Sequence, residues 1–493
     1  MTTAPTASNR PVAAPPERTL RPRTAALLGT LLAALLAGCA SPGPERSAPP
    51  MTTAQQLGLA ANPLRTAVPW PDLGDPALDA LLRQALADQP NLAAARERVE
   101  RARALADATR AANGAQAALS ADLTRQRYSE NGLVPPPIAG ATWSSGDLNA
   151  GLSWSPDFFG LHRAELAAAL GQARAAEADA AAAAVSLSAQ ISRGWVQLAR
   201  LFAQRELAER SIAQREAMLA LVRERRAAGL DTGIDLAQAQ GSLPELRAQR
   251  EALDEQIALL RHQLATLAGQ PVQALDHARP RLDTLHLPTL PDTLGADLLG
   301  RRPDVLAARE RAEAATQGVQ AARAGFYPDI RLSAFVGLSA IGISRLFEAG
   351  SAQLGLTPAL RLPLFDGGAL RAQLGAREAE RNAAIAQYNA TVLEAVRQAR
   401  DALVSIDSVD RQRAEQAQAL ERAEAAYALV QQRERAGLSN RLQLLAAETA
   451  VLAQRRTSAD LQARAFDTRV ALIQALGGGW PDEATPQLAA HRP

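Results

Sequence analysis

The residues that could carry out covalent or metal chemistry are few and poorly spaced for it. Asp231-Thr232-Gly233 has the form of an aspartic-protease triplet, but that chemistry needs two carboxylates that share a proton. The corresponding place in the second half of the chain reads Ser439-Asn440-Arg441. The five histidines lack metal-ligand spacing, and a single cysteine, Cys39, is available to help them. We therefore interpret the triplet as a turn between helices and expect no enzyme, no metal and no cofactor.

Cys39 is the residue with the clearest chemical role. It ends Leu36-Ala37-Gly38-Cys39, and an apolar run over 25–37 precedes it. Four arginines come before that run, an order typical of a secretory signal, and about 13 apolar residues fall short of the roughly 20 that span a bilayer. The site resembles a bacterial lipobox, in which the thiol is acylated. No aspartate follows to retain the protein at the inner membrane, so the resemblance implies an outer-membrane lipid anchor. The alternative is a soluble secreted protein.

The charge of the chain gives no sign of a nucleic-acid partner. The formal net charge is +2, and the segment 1–38 holds four arginines against a single acidic residue, Glu17. The rest of the chain is therefore close to neutral, and no basic patch for nucleic acid follows from its composition. Aromatic residues make up only 3 % of the chain and alanine dominates it, which points to long helices that pack closely.

An internal repeat organises most of the chain. The segment 90–98 recurs 213 residues later, and Gly229-Leu230 recurs 208 residues later as Gly437-Leu438. Landmarks in the same order at nearly constant spacing indicate two copies of one unit. We expect a signal peptide at 1–38, a lipidated tether at 39–72, repeats at 73–270 and 294–478, a proline-rich linker at 271–293 and a tail at 479–493.

Each repeat contains a very long helical segment. The ranges 160–228 and 367–436 contain no proline, and a helix of about 70 residues is about 105 Å long. In the second range, apolar residues follow a heptad seam that includes Ile385, Val392 and Ile406. Such a seam is typical of a coiled coil, and its small residues favour a curved wall of helices. We expect this seam to hold the assembly together.

Two pairs of strand-like segments precede the long helices. Apolar and polar residues alternate over 119–128, 147–155, 330–339 and 353–364. Each segment is about ten residues long, the length of a tilted transmembrane β-strand. Two soluble amphipathic hairpins are the alternative interpretation. Because two hairpins cannot close a barrel, the membrane interpretation requires several chains to pool their strands.

These features together resemble the TolC-like outer-membrane factor family, nearest its NodT-type lipoproteins of multidrug efflux systems. The resemblance covers nearly all of the mature chain and is most specific over 154–160, 301–305, 326–330 and 363–368. It implies an α+β membrane protein, in which a homotrimer builds a long α-helical coiled-coil barrel. Four transmembrane β-strands from each protomer would close a twelve-stranded β-barrel.

The resemblance also implies a function and partners. The protein would be the outer-membrane channel of a tripartite efflux system, conducting drugs or other small solutes passively. Its partners would be a periplasmic adaptor (a membrane fusion protein) at the helical tips, an inner-membrane pump of the RND type and outer-membrane lipid. The chain would lie in the cell outer membrane and extend into the periplasm. A type I protein-secretion exit duct and a lipid-anchored periplasmic coiled-coil adaptor or scaffold are the alternatives.

The pump-facing entrance is where the chain departs from the family pattern. The family's inner helix after the second turn commonly carries aspartates, but the matching positions here are Gln443 and Ala446. Weak cation preference and an entrance closed by helix packing and Arg441 contacts follow as expectations. The residues expected at the pore entrance are Asp231, Asp235, Arg441, Gln443 and Glu448.

Overall fold

The computed structural model describes residues 42–53, 55–57, 70, 72–288 and 301–478. Cys39, the expected signal peptide at 1–38 and the expected tail at 479–493 lie outside the described residues. The chain divides into two compact units. Among the described residues, the sheet unit contains 42–46, Gly114–Leu161 and Gln320–Arg377, and the helical unit contains those within Ser47–Asn113, His162–Val319 and Glu378–Pro493.

The described elements follow the same order in both halves of the chain, except that the first half begins with one additional helix. The first half contains α1 (Pro76–Asp88), α2 (Pro90–Ala112), β1 (Gln116–Arg127), β2 (Thr142–Trp154), α3 (Leu161–Ala227) and α4 (Gly233–Leu267). The second half contains α5 (Pro303–Ala324), β3 (Asp329–Ile341), β4 (Ala352–Arg361), α6 (Ala369–Arg435) and α7 (Arg441–Ala475). Both α3 and α6 have 67 residues, so the prediction of two very long helices is confirmed. No helix in the described part of the chain is both long and apolar enough to cross a membrane.

Matching glycines terminate α4 and α7. Gly269 adopts φ +69° and Gly477 adopts φ +72°, a region that favours glycine. A Cβ at Gly269 would lie 3.0 Å from the carbonyl oxygen of Asp88, and one at Gly477 would lie 3.0 Å from that of Arg301. Both glycines therefore permit the same close contact. The end of α4 contacts the residues just before α2, and the end of α7 contacts the residues just before α5.

The largest core of the helical unit joins α1, α3, α4 and α7. Leu78, Leu198, Leu264 and Phe466 are at most 1 % exposed there. Trp195 belongs to the same cluster, and its indole Nε1 donates a hydrogen bond to the Asp75 carboxylate at 2.8 Å. The Trp195 contact satisfies a buried donor while tying α3 to the N-cap of α1.

The heptad seam of α6 is buried within the single chain. Val392 is 0 % exposed and packs with Val305 of α5. Ile406 packs with Leu472 of α7 and with Leu476, the C-cap of that helix. Seam positions become half-buried towards the end of α6, as at Val430. The coiled-coil prediction is confirmed, but these seam residues, expected to hold the assembly together, already pack inside one protomer.

The four strands form one antiparallel sheet in the order β1-β2-β3-β4. All four predicted strand segments are therefore confirmed as strands. The fourth is shorter than expected, because β4 ends at Arg361 and leaves Leu362 and Leu364 outside it. Pro363 lacks the N–H that a continuing ladder would need.

The register of the sheet collects apolar side chains on one face. Leu119 is opposite Ala150, which is opposite Val336, which in turn is opposite Leu354. Residues directly opposite each other share a face. Leu119 is 73 % exposed and Leu354 is 84 % exposed in the chain. The other face carries polar residues that include Asp122, Asp147, Asn149, Ser333 and Gln353.

Candidate functional site

The candidate site consists of the two turns that join α3 to α4 and α6 to α7. Gly229 and Gly437 have φ values of +74° and +73°, which glycine adopts without steric cost. The Leu230 N–H donates to the Arg225 carbonyl at 2.9 Å, and the Leu438 N–H donates to that of Arg433 at 2.8 Å. Both turns are thus Schellman motifs with the same backbone.

An ion pair and a capping box close the first turn. The Arg225 guanidinium binds Asp231 in bidentate fashion, with Nε–Oδ2 and Nη2–Oδ1 distances of 3.0 and 2.9 Å. This contact raises the pKa of Arg225. The Thr232 side chain accepts from the Asp235 N–H, and Asp235 accepts from the Thr232 N–H. Hydrogen bonds from the hydroxyl and backbone of Thr232 lower the pKa of Asp235.

The second turn uses uncharged caps instead. Asn440 accepts from the Gln443 N–H at 2.9 Å, and the Ser439 hydroxyl donates to Gln443 Oε1 at 2.6 Å. Arg441 Nη1 lies 3.6 Å from Glu434 Oε1. Three carboxylates of the first turn are absent here: the positions of Glu224, Asp231 and Asp235 hold Gln432, Ser439 and Gln443.

The five predicted entrance residues therefore fall into two groups. Asp231 and Asp235 both form local bonds within the first turn, whereas Arg441 and Gln443 lie in the second turn. Glu448 is half-buried further along α7. The Asp231-Thr232-Gly233 triplet is the turn into α4, as the sequence predicts, with Thr232 as the N-cap.

Two residues near the turns were not predicted from the sequence. Gln214 of α3 is 5 % exposed and donates to the Leu445 carbonyl and to the Thr449 hydroxyl of α7, the latter at 2.9 Å. Arg225 is the partner of Asp231. Comparison of the repeats could have indicated Arg225, because its counterpart Arg433 lacks an acidic residue six positions later. A glutamine in a polar-rich helix segment gives no comparable signal.

An open groove lies beside the second turn. It has a volume of about 500 Å³ and is lined mainly by apolar residues, together with the amide of Gln432 and the guanidinium of Arg433. Within the described residues, Arg433 makes no ion pair, in contrast to Arg225. The lining residues include Leu429, Val430, Ala436 and Leu438.

The sequence matches the family described as "Outer membrane efflux protein" over residues 81–270 and 294–478. The chain belongs to this family. The multidrug resistance outer membrane protein MdtP of Escherichia coli (strain K12) is 32 % identical over 469 residues, covering 90 % of this chain and 94 % of that protein. The fusaric acid resistance protein FusA of Burkholderia cepacia is 37 % identical over 372 residues, covering 72 % of this chain and 69 % of FusA.

A solved structure of the family has the same architecture. The crystal structure of the outer membrane protein VceC from Vibrio cholerae matches with a TM-score of 0.75 at 34 % identity. The match covers 84 % of this chain and 100 % of that chain. The sequence-based prediction of a TolC-like outer-membrane efflux channel is therefore confirmed, and the two turns are those of an outer membrane efflux protein.

Proposed function

We propose that three copies of this efflux protein form an outer-membrane channel and that their strands close a twelve-stranded β-barrel. The open sheet is the observation that carries the proposal. Among the described residues, β1 and β4 each pair with one strand only, and Leu119, Leu354 and Leu360 on the apolar face are 73 %, 84 % and 69 % exposed. Unpaired strand edges are excluded from lipid, so a sheet with such a face has to close with further strands.

The directions of the edge strands support closure by identical copies. Three antiparallel pairings in succession leave β1 and β4 antiparallel to each other. The β4 edge of one copy can therefore pair with the β1 edge of the next in the same antiparallel sense, and a closed ring leaves no edge. Twelve strands lie within the range of known outer-membrane barrels.

The long helices would supply the conduit of the α-helical coiled-coil barrel. A helix of 67 residues, such as α3 or α6, is about 100 Å long. Solutes would pass through it passively from an inner-membrane pump of the RND type, without any catalysis by this chain. A periplasmic adaptor would dock at the turns, where Leu230 and Leu438 are 67 % and 70 % exposed. The names of MdtP and FusA favour small toxic solutes over a secreted protein.

The anchor and the domain organisation form part of the same proposal. Cys39 would carry the lipid after removal of 1–38, and 39–72 would tether the first repeat to the outer membrane. Repeats at 73–270 and 294–478, joined by a linker at 271–293 and followed by a tail at 479–493, account for the duplicated order of elements. Cys39→Ser should abolish labelling with radiolabelled palmitate, and continued labelling would contradict the anchor.

The pump-facing entrance would have weak cation preference. The carboxylates of Asp231 and Asp235 form local bonds in the first turn, and Gln443 and Ala446 replace acidic residues after the second. Ala446 is exposed on α7, and any charge there would appear three times in a trimer. Ala446→Asp should therefore raise the cation selectivity of single channels in planar bilayers, most at low salt. Strong cation selectivity of the unmodified channel would contradict this assignment of the entrance.

The barrel itself is tested by a pair of substitutions on opposite faces of β4. Leu354→Arg places a charge on the apolar face, and arginine at the middle of a bilayer costs about 2–4 kcal/mol on the lipid face of a barrel. Gln353→Arg, one residue away on the polar face, is the matched control. We expect Leu354→Arg to reduce membrane insertion and the yield of heat-dissociable trimer strongly, while Gln353→Arg keeps both and changes conductance. Equal trimer yield from the two variants would refute the barrel.

A further inference from the structure

The hairpin end of the sheet carries a cluster of arginines on the apolar face. Arg125 and Arg127 of β1 are an even number of residues away from Leu119 and Leu123, so all four side chains lie on the same face of the strand. Arg125 lies two residues beyond Leu123, which is about 7 Å along the strand. The cationic groups thus begin where the apolar residues of this strand end.

A third arginine is brought to the same rim by the loop between β3 and β4. Ser144 lies opposite Arg125, and its carbonyl accepts from the Gly342 N–H at 2.7 Å. The loop then turns through Ile343–Arg345. Leu346, the next residue, is 8 % exposed, and its Cδ2 lies 3.1 Å from the position of a Cβ on Gly146. Since Gly146 lies opposite Leu123, Leu346 fixes this loop over the apolar face.

The charges at this rim are only partly neutralised. Arg127 Nη2 lies 3.3 Å from Glu130 Oε1, and its Nε donates to the Gly140 carbonyl. Arg125 and Arg345 are both exposed, and within the described residues neither forms an ion pair. Glu348 lies three residues after Arg345 in the same loop. Among the described residues, Arg127 is therefore the one guanidinium of the three that is paired with a carboxylate.

The opposite rim of the sheet has different chemistry. Where the strands connect to helices, Trp154 is 46 % exposed, and Phe159 stacks on Tyr327 with ring centroids 5.1 Å apart. Arg331 and Arg361 occur at this end, but their register places them on the polar face, opposite Ala359 and Asp329. The apolar face is therefore bordered by aromatic residues at one end, and by guanidinium groups together with the exposed Phe347 at the hairpin end.

We propose that Arg125 and Arg345, with the hydroxyl of Ser144 between them, form a site for a phosphate group of an outer-leaflet lipid. Guanidinium groups bind phosphate through paired, charge-assisted hydrogen bonds. An apolar face that ends at these groups suits a ligand whose acyl chains and phosphate are joined in one molecule. The inference rests on the proposed function, because it requires the apolar face to lie in a membrane with the hairpins outermost.

The test uses the purified full-length trimer in an uncharged maltoside detergent. Its dissociation temperature is measured alone, with diphosphoryl lipid A, with monophosphoryl lipid A and with inorganic phosphate. We expect diphosphoryl lipid A to raise this temperature by several degrees, the monophosphoryl form to raise it less, and inorganic phosphate to have no effect. The double variant Arg125→Gln/Arg345→Gln should lose most of the shift. Arg98→Gln/Arg101→Gln, at exposed positions of α2, is the matched control and should retain it.

The outcomes separate this inference from the proposed channel. If the trimer forms and conducts but lipid A gives no shift, or the double variant keeps the full shift, the lipid site is refuted and the channel stands. If inorganic phosphate alone gives the same shift as lipid A, a free anion is the ligand and the lipid assignment is refuted. If no trimer forms or no conductance is measured with the unmodified chain, the proposed function itself fails. Native mass spectrometry counts the lipid A molecules bound to each double variant, and Arg125→Gln/Arg345→Gln should bind fewer than Arg98→Gln/Arg101→Gln.

Discussion

The turn between α3 and α4 and the turn between α6 and α7 share a backbone but differ in charge. Both contain a glycine with φ near +74°, and the same Schellman hydrogen bonds recur 208 residues apart. In the first turn, Asp231 binds Arg225 and Asp235 completes a capping box. In the second, neutral residues replace those carboxylates, and Arg433 borders an apolar groove without an ion pair in the described part of the chain.

The comparison shows that the backbone of the turn restricts the residue type at a few positions, whereas the charges of the surrounding side chains can differ between the repeats. A left-handed residue after a helix needs glycine, and the next helix needs a capping side chain. Side chains around these two positions have no such constraint. In the first turn Asp231 therefore neutralises Arg225, whereas the second turn leaves the guanidinium of Arg433 and an apolar surface exposed.

The largest expected effect contrasts equivalent positions in the two long helices. Val392 of α6 is 0 % exposed, whereas its counterpart Ala184 of α3 is half-buried at the edge of the larger core. Val392→Asp should destabilise the protein by about 3–5 kcal/mol, the usual cost of an unpaired buried charge. Ala184→Asp should cost less than half as much. Thermal loss of helical circular dichroism in detergent measures both.

A control separates charge from packing in this experiment. Val392→Ala removes two methyl groups without adding a charge and should cost less than Val392→Asp. If Ala184→Asp destabilised the protein as much as Val392→Asp, the difference in burial between these two positions would have no effect on stability. The two long helices would then be packed equivalently.

Much of this architecture could be predicted from the sequence, because its signals are local. The 67-residue helices follow from long stretches without proline, the turns follow from Gly229 and Gly437, and the seam at Val392 follows from heptad spacing. The strands were visible as alternation. Their register was not, because pairing such as Leu119 with Ala150 depends on residues distant in sequence.

The candidate site was less predictable for a physical reason. Asp231 and Asp235 are acidic residues near an expected entrance, so they were expected at the pore. Whether a carboxylate faces a pore or binds a neighbour depends on side-chain geometry around the turn. The Arg225–Asp231 pair spans six residues across a Schellman motif, a spacing outside the i,i+3 and i,i+4 pairs that helix periodicity reveals.

A smaller effect should be equal in the two turns. Gly229→Ala and Gly437→Ala each force a Cβ into the left-handed region, at a cost of about 1 kcal/mol. Apart from the two adjacent residues, no heavy atom of the described chain lies within 4 Å of either Cβ position, so backbone strain should dominate the effect. Gly241→Ala, inside α4 and also in open space, should instead stabilise by about 0.5–1 kcal/mol. Unequal losses at Gly229 and Gly437, measured by thermal melting, would show that the two backbones are not equivalent.

The smallest effect is a pH dependence confined to the first turn. Hydrogen bonds from Thr232 lower the pKa of Asp235 below its ordinary value of 3.8. A carboxyl whose pKa is lowered by folding stabilises the fold above its unfolded pKa, and this stabilisation is lost as the pH falls through the lowered value. The cap of the second turn, Asn440 with Gln443, has no titrating group.

Hydrogen exchange of the first amides of α4 and α7, corrected for intrinsic rates, measures this difference between pH 6 and pH 3. Protection at the start of α4 should decrease below about pH 4, since the protonated Asp235 is a poorer acceptor for the Thr232 N–H. Protection at the start of α7 should change less. Asp235→Asn should remove the pH dependence in α4, and Gln443→Asp should create one in α7, because the Asn440 cap already supplies the geometry. A parallel decrease in both helices of the unmodified chain would mean that acid loosens the helical unit as a whole, and the electrostatic contrast between the turns would then be negligible.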